Sequence, residues 1–108
     1  MPIFIKTEKF KKETLELSNV QRKSFLTRHK KWVKEIRLSG HYIYSGYLIN
    51  QNKLPGGGGL LILEAKDYLT AKNIIENDPM IKNDLVNWDL QEWISIDRSQ
   101  PKFSNHLG

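Results

Sequence analysis

Two residues of the 108-residue sequence have the types and positions that proton-transfer chemistry needs, namely His29 and Asp78. His29 falls on the apolar side of a predicted helix, where an imidazole is unfavourable unless it has a hydrogen-bond partner. Asp78 ends the inward side of a second predicted helix. Each has an ordinary structural alternative, a buried histidine with a partner or a carboxylate that caps a turn. Because the predicted topology directs both toward one side of one sheet, we expect the carboxylate to orient the imidazole as a general acid/base.

Other motifs point less clearly to chemistry. The four glycines 56–59 lead into a strand rather than a helix, so they predict a flexible strand connection, or a lid beside a pocket, instead of a phosphate-binding loop. His41 and His106 lack metal-ligand spacing and the chain has no cysteine, so we expect neither a metal nor a cofactor. No Gly-x-Ser-x-Gly motif supports serine-hydrolase chemistry.

The elements that would position the pair alternate between strand and helix. A capping box at Ser18 and Gln21 and a stop at Gly40 bound the first helix, and Asp67 begins the second, which Pro79 ends. Periodicity predicts strands at 2–6, 42–49, 60–64 and 86–96, with a turn-rich loop at 50–59.

The order strand, helix, strand, strand, helix, strand predicts an α+β, ferredoxin-like βαββαβ domain with a four-stranded antiparallel sheet over residues 1–96, followed by a polar tail at 97–108. Leu60 to Leu63 is apolar at successive positions, and Trp93 lies out of phase with Trp88, Leu90, Ile94 and Ile96. Both sheet faces should therefore be buried. We expect a homodimer that packs through the open sheet face, a dimeric α+β barrel.

Charge is concentrated in the first third of the chain. Residues 1–37 hold eleven Lys or Arg and four Asp or Glu, a balance of +7, and the remainder carries −2, which gives the total of +5. Most of this excess belongs to the outward side of the first helix, which lacks interleaved exposed aromatics, so nucleic-acid binding is not expected. The longest apolar run, at 60–63, cannot cross a membrane, and the composition predicts a cytoplasmic protein.

Together these features resemble the YciI-like (YCII-related) proteins of the dimeric α+β barrel superfamily. The resemblance covers about residues 2–96 and rests on residues in this order: His29, Gly40, Ser45-Gly46, Gly59, Glu64-Ala65, Ala71, Asp78-Pro79-Met80 and Trp93. It implies an active site with a His-Asp pair, which corresponds to His29 and Asp78, near a substrate-binding Ser45-Gly46. Tyr47 and Asp84 stand where the family often has Pro and Gly.

These observations predict a small enzyme that catalyses lyase or isomerase chemistry by proton transfer on a small molecule, with His29 as general acid/base. The alternative is a non-catalytic homodimer that binds a metabolite or regulates a partner. The two hypotheses make different predictions for His29, since only the enzyme needs an imidazole that Asp78 orients.

Overall fold

The computed structural model describes residues 1–97. Its elements are β1 (Ile3–Phe10), α1 (Lys12–Leu15), α2 (Asn19–Leu38), β2 (Ile43–Ile49), β3 (Pro55–Glu64), α3 (Tyr68–Ile75), α4 (Pro79–Lys82) and β4 (Val86–Trp93). The strands form one antiparallel sheet in the order β2-β3-β1-β4. The predicted ferredoxin-like fold is confirmed.

Local sequence explains both ends of the long helix α2. Ser18 accepts a hydrogen bond from the Gln21 backbone N–H at 3.1 Å, and the Gln21 side chain accepts from the Ser18 backbone N–H at 3.0 Å. Beyond the helix, Gly40 has φ +106°, a conformation that residues with a Cβ atom rarely adopt. The predicted capping box and glycine stop are both confirmed.

Strand boundaries depart from the sequence prediction in three places. β1 continues from Lys6 to Phe10, because pairing with both β3 and β4 satisfies its backbone whatever its side chains are. Residues 56–59 lie inside β3 rather than in a loop, for the same reason. β4 ends at Trp93, so the predicted strand at 86–96 is too long, and Ile94 and Ile96, which were predicted to share a side with Trp88 and Leu90, lie beyond it and are exposed.

Pro79 and Asp78 have different positions in the helices from those predicted. Pro79 does follow a helix, but it also begins α4, where its missing N–H carries no penalty at the first helical position. Asp78 is therefore the N-cap of α4 rather than the end of α3, which stops at Ile75. The predicted tail, with His106, lies outside the described residues except for Asp97.

The two faces of the sheet differ in what covers them. On the covered face, against which the helices pack, the core consists of Phe4, Trp32, Val33, Ile43, Leu61, Leu63, Ala65, Ala71, Ile75 and Leu90. The residues between them in each strand point to the other side, which we call the open face, and include Ile5, Tyr44, Leu48, Leu60, Ile62 and Trp93. None of the helices in residues 1–97 is long and apolar enough to cross a membrane.

Candidate active site

Four elements converge at one place on the covered face. α2 contributes His29, β2 contributes Ser45, the start of α4 contributes Asp78 and β1 contributes Lys6. His29 shares the inward side of α2 with the buried Trp32 and Val33. The fold therefore brings His29 and Asp78 together across 49 residues of sequence.

Asp78 has no exposed surface, and both of its carboxylate oxygens are occupied. Oδ1 accepts hydrogen bonds from His29 Nδ1 at 2.8 Å and from the Met80 backbone N–H at 3.0 Å. Oδ2 pairs with Lys6 Nζ at 3.1 Å. The same carboxylate thus caps α4 and orients the imidazole, so the two roles considered for Asp78 coexist.

These contacts determine the charge of Asp78. Burial raises the pKa of its carboxyl group, but the hydrogen bond from His29 and the positive charge of Lys6 outweigh burial, and the net effect lowers the pKa below its usual 3.8. Asp78 is consequently ionised at neutral pH and can only accept hydrogen bonds. The Nδ1 atom of His29 must therefore carry a proton, which leaves Nε2 of the neutral ring as an acceptor.

Nε2 of His29 lies 2.7 Å from Ser45 Oγ. In the neutral ring protonated on Nδ1, Nε2 accepts this hydrogen bond and the Ser45 hydroxyl donates it. Ser45 is exposed, and the His29 side chain retains 12% of its surface. The basic end of the imidazole therefore faces the outside of the protein, while its other nitrogen is fixed inside.

Lys6 was not recognised from the sequence. Its side chain is 1% exposed and contacts both Asp78 and Glu8. The signal was present, because Lys6 lies two residues after the core residue Phe4 and strand alternation places both on the same face. The predicted strand at 2–6 contained both residues, but it ended before Glu8, the second charged partner of Lys6.

The remaining candidates lie apart from this network. Gly46 follows Ser45 in β2, but its register position belongs to the open face of the sheet. Its role in substrate binding stays a prediction. Nδ1 of His41 lies 3.3 Å from the Glu64 carbonyl oxygen instead. Glycines 56–59 contribute backbone to the sheet next to Glu8, which argues against a lid there.

Access to His29 and Ser45 is from one surface groove of about 470 Å³ between α2 and the edge strand β2. Its lining consists of His29, Lys30, Val33, Lys34, Arg37, Leu38 and Ser45. We refer to it as the basic groove. A small molecule in this groove could reach Nε2 of a ring that the ionised Asp78 carboxylate holds in position through Nδ1. That is the arrangement a general base requires.

Known structures share the fold at low sequence identity. A 5-chloro-2-hydroxyhydroquinone dehydrochlorinase from Burkholderia phenoliruptrix, solved with 2,5-dihydroxybenzoquinone, superposes with a TM-score of 0.66 and 18% identity over 91% of this chain and 99% of that one. An antibiotic biosynthesis monooxygenase superposes with a TM-score of 0.54 and 13% identity over 89% and 99%. No family model and no curated protein sequence matches the chain. At these identities the likeness shows the fold alone.

Proposed function

We propose that this protein is a cofactor-independent enzyme of the YciI-like type that moves a proton on a small molecule, with His29 as general acid/base and Asp78 as its orienting partner. One observation carries the proposal: a fully buried, ionised Asp78 binds Nδ1 of His29 at 2.8 Å, while Nε2 points toward the basic groove. A merely structural histidine would not need its acceptor nitrogen directed at an open groove.

The chemistry follows from these positions. Nε2 takes a proton from a C–H or O–H bond of the substrate, and the resulting imidazolium is stabilised by the negative charge of Asp78. In an isomerisation His29 returns the proton to another atom of the same molecule. In an elimination the electron pair of the broken C–H bond forms a double bond, and a leaving group departs with its own bonding pair. Neither route requires a metal or an organic cofactor.

Assembly as a homodimer through the open face belongs to the same proposal. Leu60 and Ile62 at the centre of that face are half-buried, and Trp93 at its edge is 44% exposed. A second copy of the chain would bury these apolar side chains without covering the basic groove, which opens on the other side of the sheet. A cytoplasmic location remains a prediction from the cysteine-free composition.

Hydrogen–deuterium exchange tests the chemistry without a known product. A panel of small carbon acids is incubated with the protein in D2O, and the exchange of C–H for C–D is followed by proton NMR. We expect accelerated exchange for members of the panel, and a loss of about 10²- to 10⁴-fold in His29→Gln, the range for one general base. His41→Gln is the matched control, because His41 is a histidine outside the network, and it should exchange like the unaltered protein.

Ser45→Ala separates two roles for the hydroxyl. If Ser45 only binds substrate, its removal should slow exchange about tenfold, the effect of one hydrogen bond. A loss as large as that of His29→Gln would instead make Ser45 the reacting group. Exchange that is unchanged in His29→Gln would contradict the enzyme. Ligand binding without exchange across the panel would support the non-catalytic metabolite-binding homodimer.

A further inference from the structure

A second cavity adjoins the basic groove. This apolar cavity measures about 410 Å³ and lies between the first half of α2, the segment around α1 and the β2-β3 hairpin. Its principal apolar walls are Phe10, Phe25, Leu26, Tyr47, Met80 and Leu85. The basic groove and the apolar cavity are each as large as small-molecule sites, which begin at roughly 300 Å³.

The hydrogen bond between His29 and Ser45 lies at the end of the basic groove that is nearer to the apolar cavity, and no residue lines both cavities. Leu26 precedes His29 by three residues, so their side chains share one side of α2 about 4.5 Å apart along its axis. Tyr47 follows Ser45 by two residues and points to the same face of β2, about 6.7 Å further along. We call the hydrogen bond between His29 and Ser45 the bridge. From the bridge, the apolar cavity extends toward Tyr47 and the basic groove extends toward Arg37.

The two cavities differ in how apolar their walls are rather than in the sign of their charge. Arg22 and Lys23 also line the apolar cavity, beside a larger set of apolar side chains, and Arg22 Nη2 donates to Asn19 Oδ1 at 2.6 Å. Lys30, Lys34 and Arg37 line the basic groove, and none of its lining residues within the described chain is a carboxylate. Arg37 is held in place, since its Nη2 donates to the Ile43 carbonyl oxygen at 2.7 Å. Lys30 and Lys34 form no ion pair within residues 1–97, so their charges are available to an anion.

We infer that the site takes a small amphiphilic acid, whose anionic group lies in the basic groove and whose apolar body fills the apolar cavity. Such a molecule spans the bridge, replaces the Ser45 hydroxyl at Nε2 and presents there the hydrogen atom between its two ends. This inference rests on the proposed function for its chemistry, but the binding mode it describes can be measured without turnover.

Three probes that share parts of one skeleton test it. Phenylacetate has both the anionic and the apolar part, phenylacetamide lacks only the charge, and acetate lacks the ring. Binding is measured by calorimetry and by the shifts of the His29 ring signals in NMR. We expect phenylacetate to bind at least about tenfold more tightly than either other probe, with an affinity that falls as salt increases.

Variants locate each part of the ligand. Lys34→Glu should weaken phenylacetate about tenfold and leave phenylacetamide unchanged, whereas Leu26→Gln should weaken both. Lys31→Glu is the matched control, with the same change of charge on the same helix at a residue that lines neither cavity. Circular dichroism confirms that each variant is folded.

Two outcomes overturn the inference: phenylacetamide binding as tightly as phenylacetate, or Lys31→Glu weakening phenylacetate as much as Lys34→Glu does. A failure of the proposed function can be distinguished from a failure of this inference, because the first concerns C–H exchange and the second concerns binding. Phenylacetate should still bind His29→Gln within a few-fold, because neither end of the probe depends on the imidazole, even if no C–H exchange is ever detected.

Discussion

The two faces of the sheet are built on opposite principles. The covered face surrounds a lysine and an aspartate with apolar residues, although burying charge is unfavourable unless every charge is paired. The open face carries Ile5, Leu60 and Ile62 at its centre, beside polar residues such as Thr7 and Gln91, although a monomer would tolerate polar residues throughout this face. The difference teaches that stability alone explains neither face, and it agrees with the two proposals that the covered face holds a site and that the open face binds a second copy of the chain.

Adjacent residues of β3 test this comparison with the largest expected effect. Leu61 is fully buried on the covered face, and Ile62 is half-buried on the open face. Leu61→Asp should unfold the protein, because it buries a third carboxylate beside Lys6, whose charge Glu8 and Asp78 already pair. The cost of burying such an unpaired charge exceeds a typical domain stability of about 5–15 kcal/mol. Ile62→Asp should leave a folded chain that is monomeric. Circular dichroism and sedimentation velocity distinguish the two states.

Either of two results would break the proposed difference between the faces. Ile62→Asp that sediments as a dimer would place the interface elsewhere. Ile62→Asp that unfolds in the manner of Leu61→Asp would show that the open face belongs to the core of a single chain.

The buried charges predict the next largest effect. Asp78→Asn leaves Lys6 with only Glu8 as its charged partner and removes the ion pair at Oδ2. Breaking a buried pair from one side costs roughly 3–5 kcal/mol, so the free energy of unfolding at pH 7 should fall by about that amount. Urea denaturation of both proteins between pH 3 and pH 7 measures it.

The stability that Asp78 contributes should depend on pH in a known direction. Because folding lowers the pKa of Asp78 below 3.8, the carboxylate stabilises the protein above that pH, and the contribution is lost as the pH falls through the folded value. The stability difference between the unaltered protein and Asp78→Asn should therefore shrink below about pH 4. A difference that stays constant down to pH 3 would mean that folding does not lower the pKa of Asp78.

The sequence was informative wherever a local rule decides structure. The capping box at Ser18 and the stop at Gly40 follow from backbone requirements at the two ends of one helix, and the periodicity of α2 placed His29 on its inward side. Asp78 reaches His29 as the N-cap of α4, not through the helical periodicity from which its position was predicted. Lys6 and the extent of β1 were missed because pairing on both edges of a central strand overrides the polarity of its residues. The cavities beside His29 depend on how separate elements meet, which no local pattern encodes.

Two glycines on opposite faces provide the smallest and most local comparison. A Cβ added to Gly59 would lie 3.0 Å from the Gly46 carbonyl oxygen and 3.3 Å from Glu8 Cγ, whereas one added to Gly46 would meet nothing within 4 Å. Gly59→Ala must therefore displace backbone or the partner of Lys6, and should cost about 1–3 kcal/mol. Gly46→Ala should change stability by less than about 0.5 kcal/mol. Thermal unfolding of both variants measures the two losses of stability. Equal losses would show that the lack of a Cβ atom at Gly59 is not what allows Glu8 to contact Lys6.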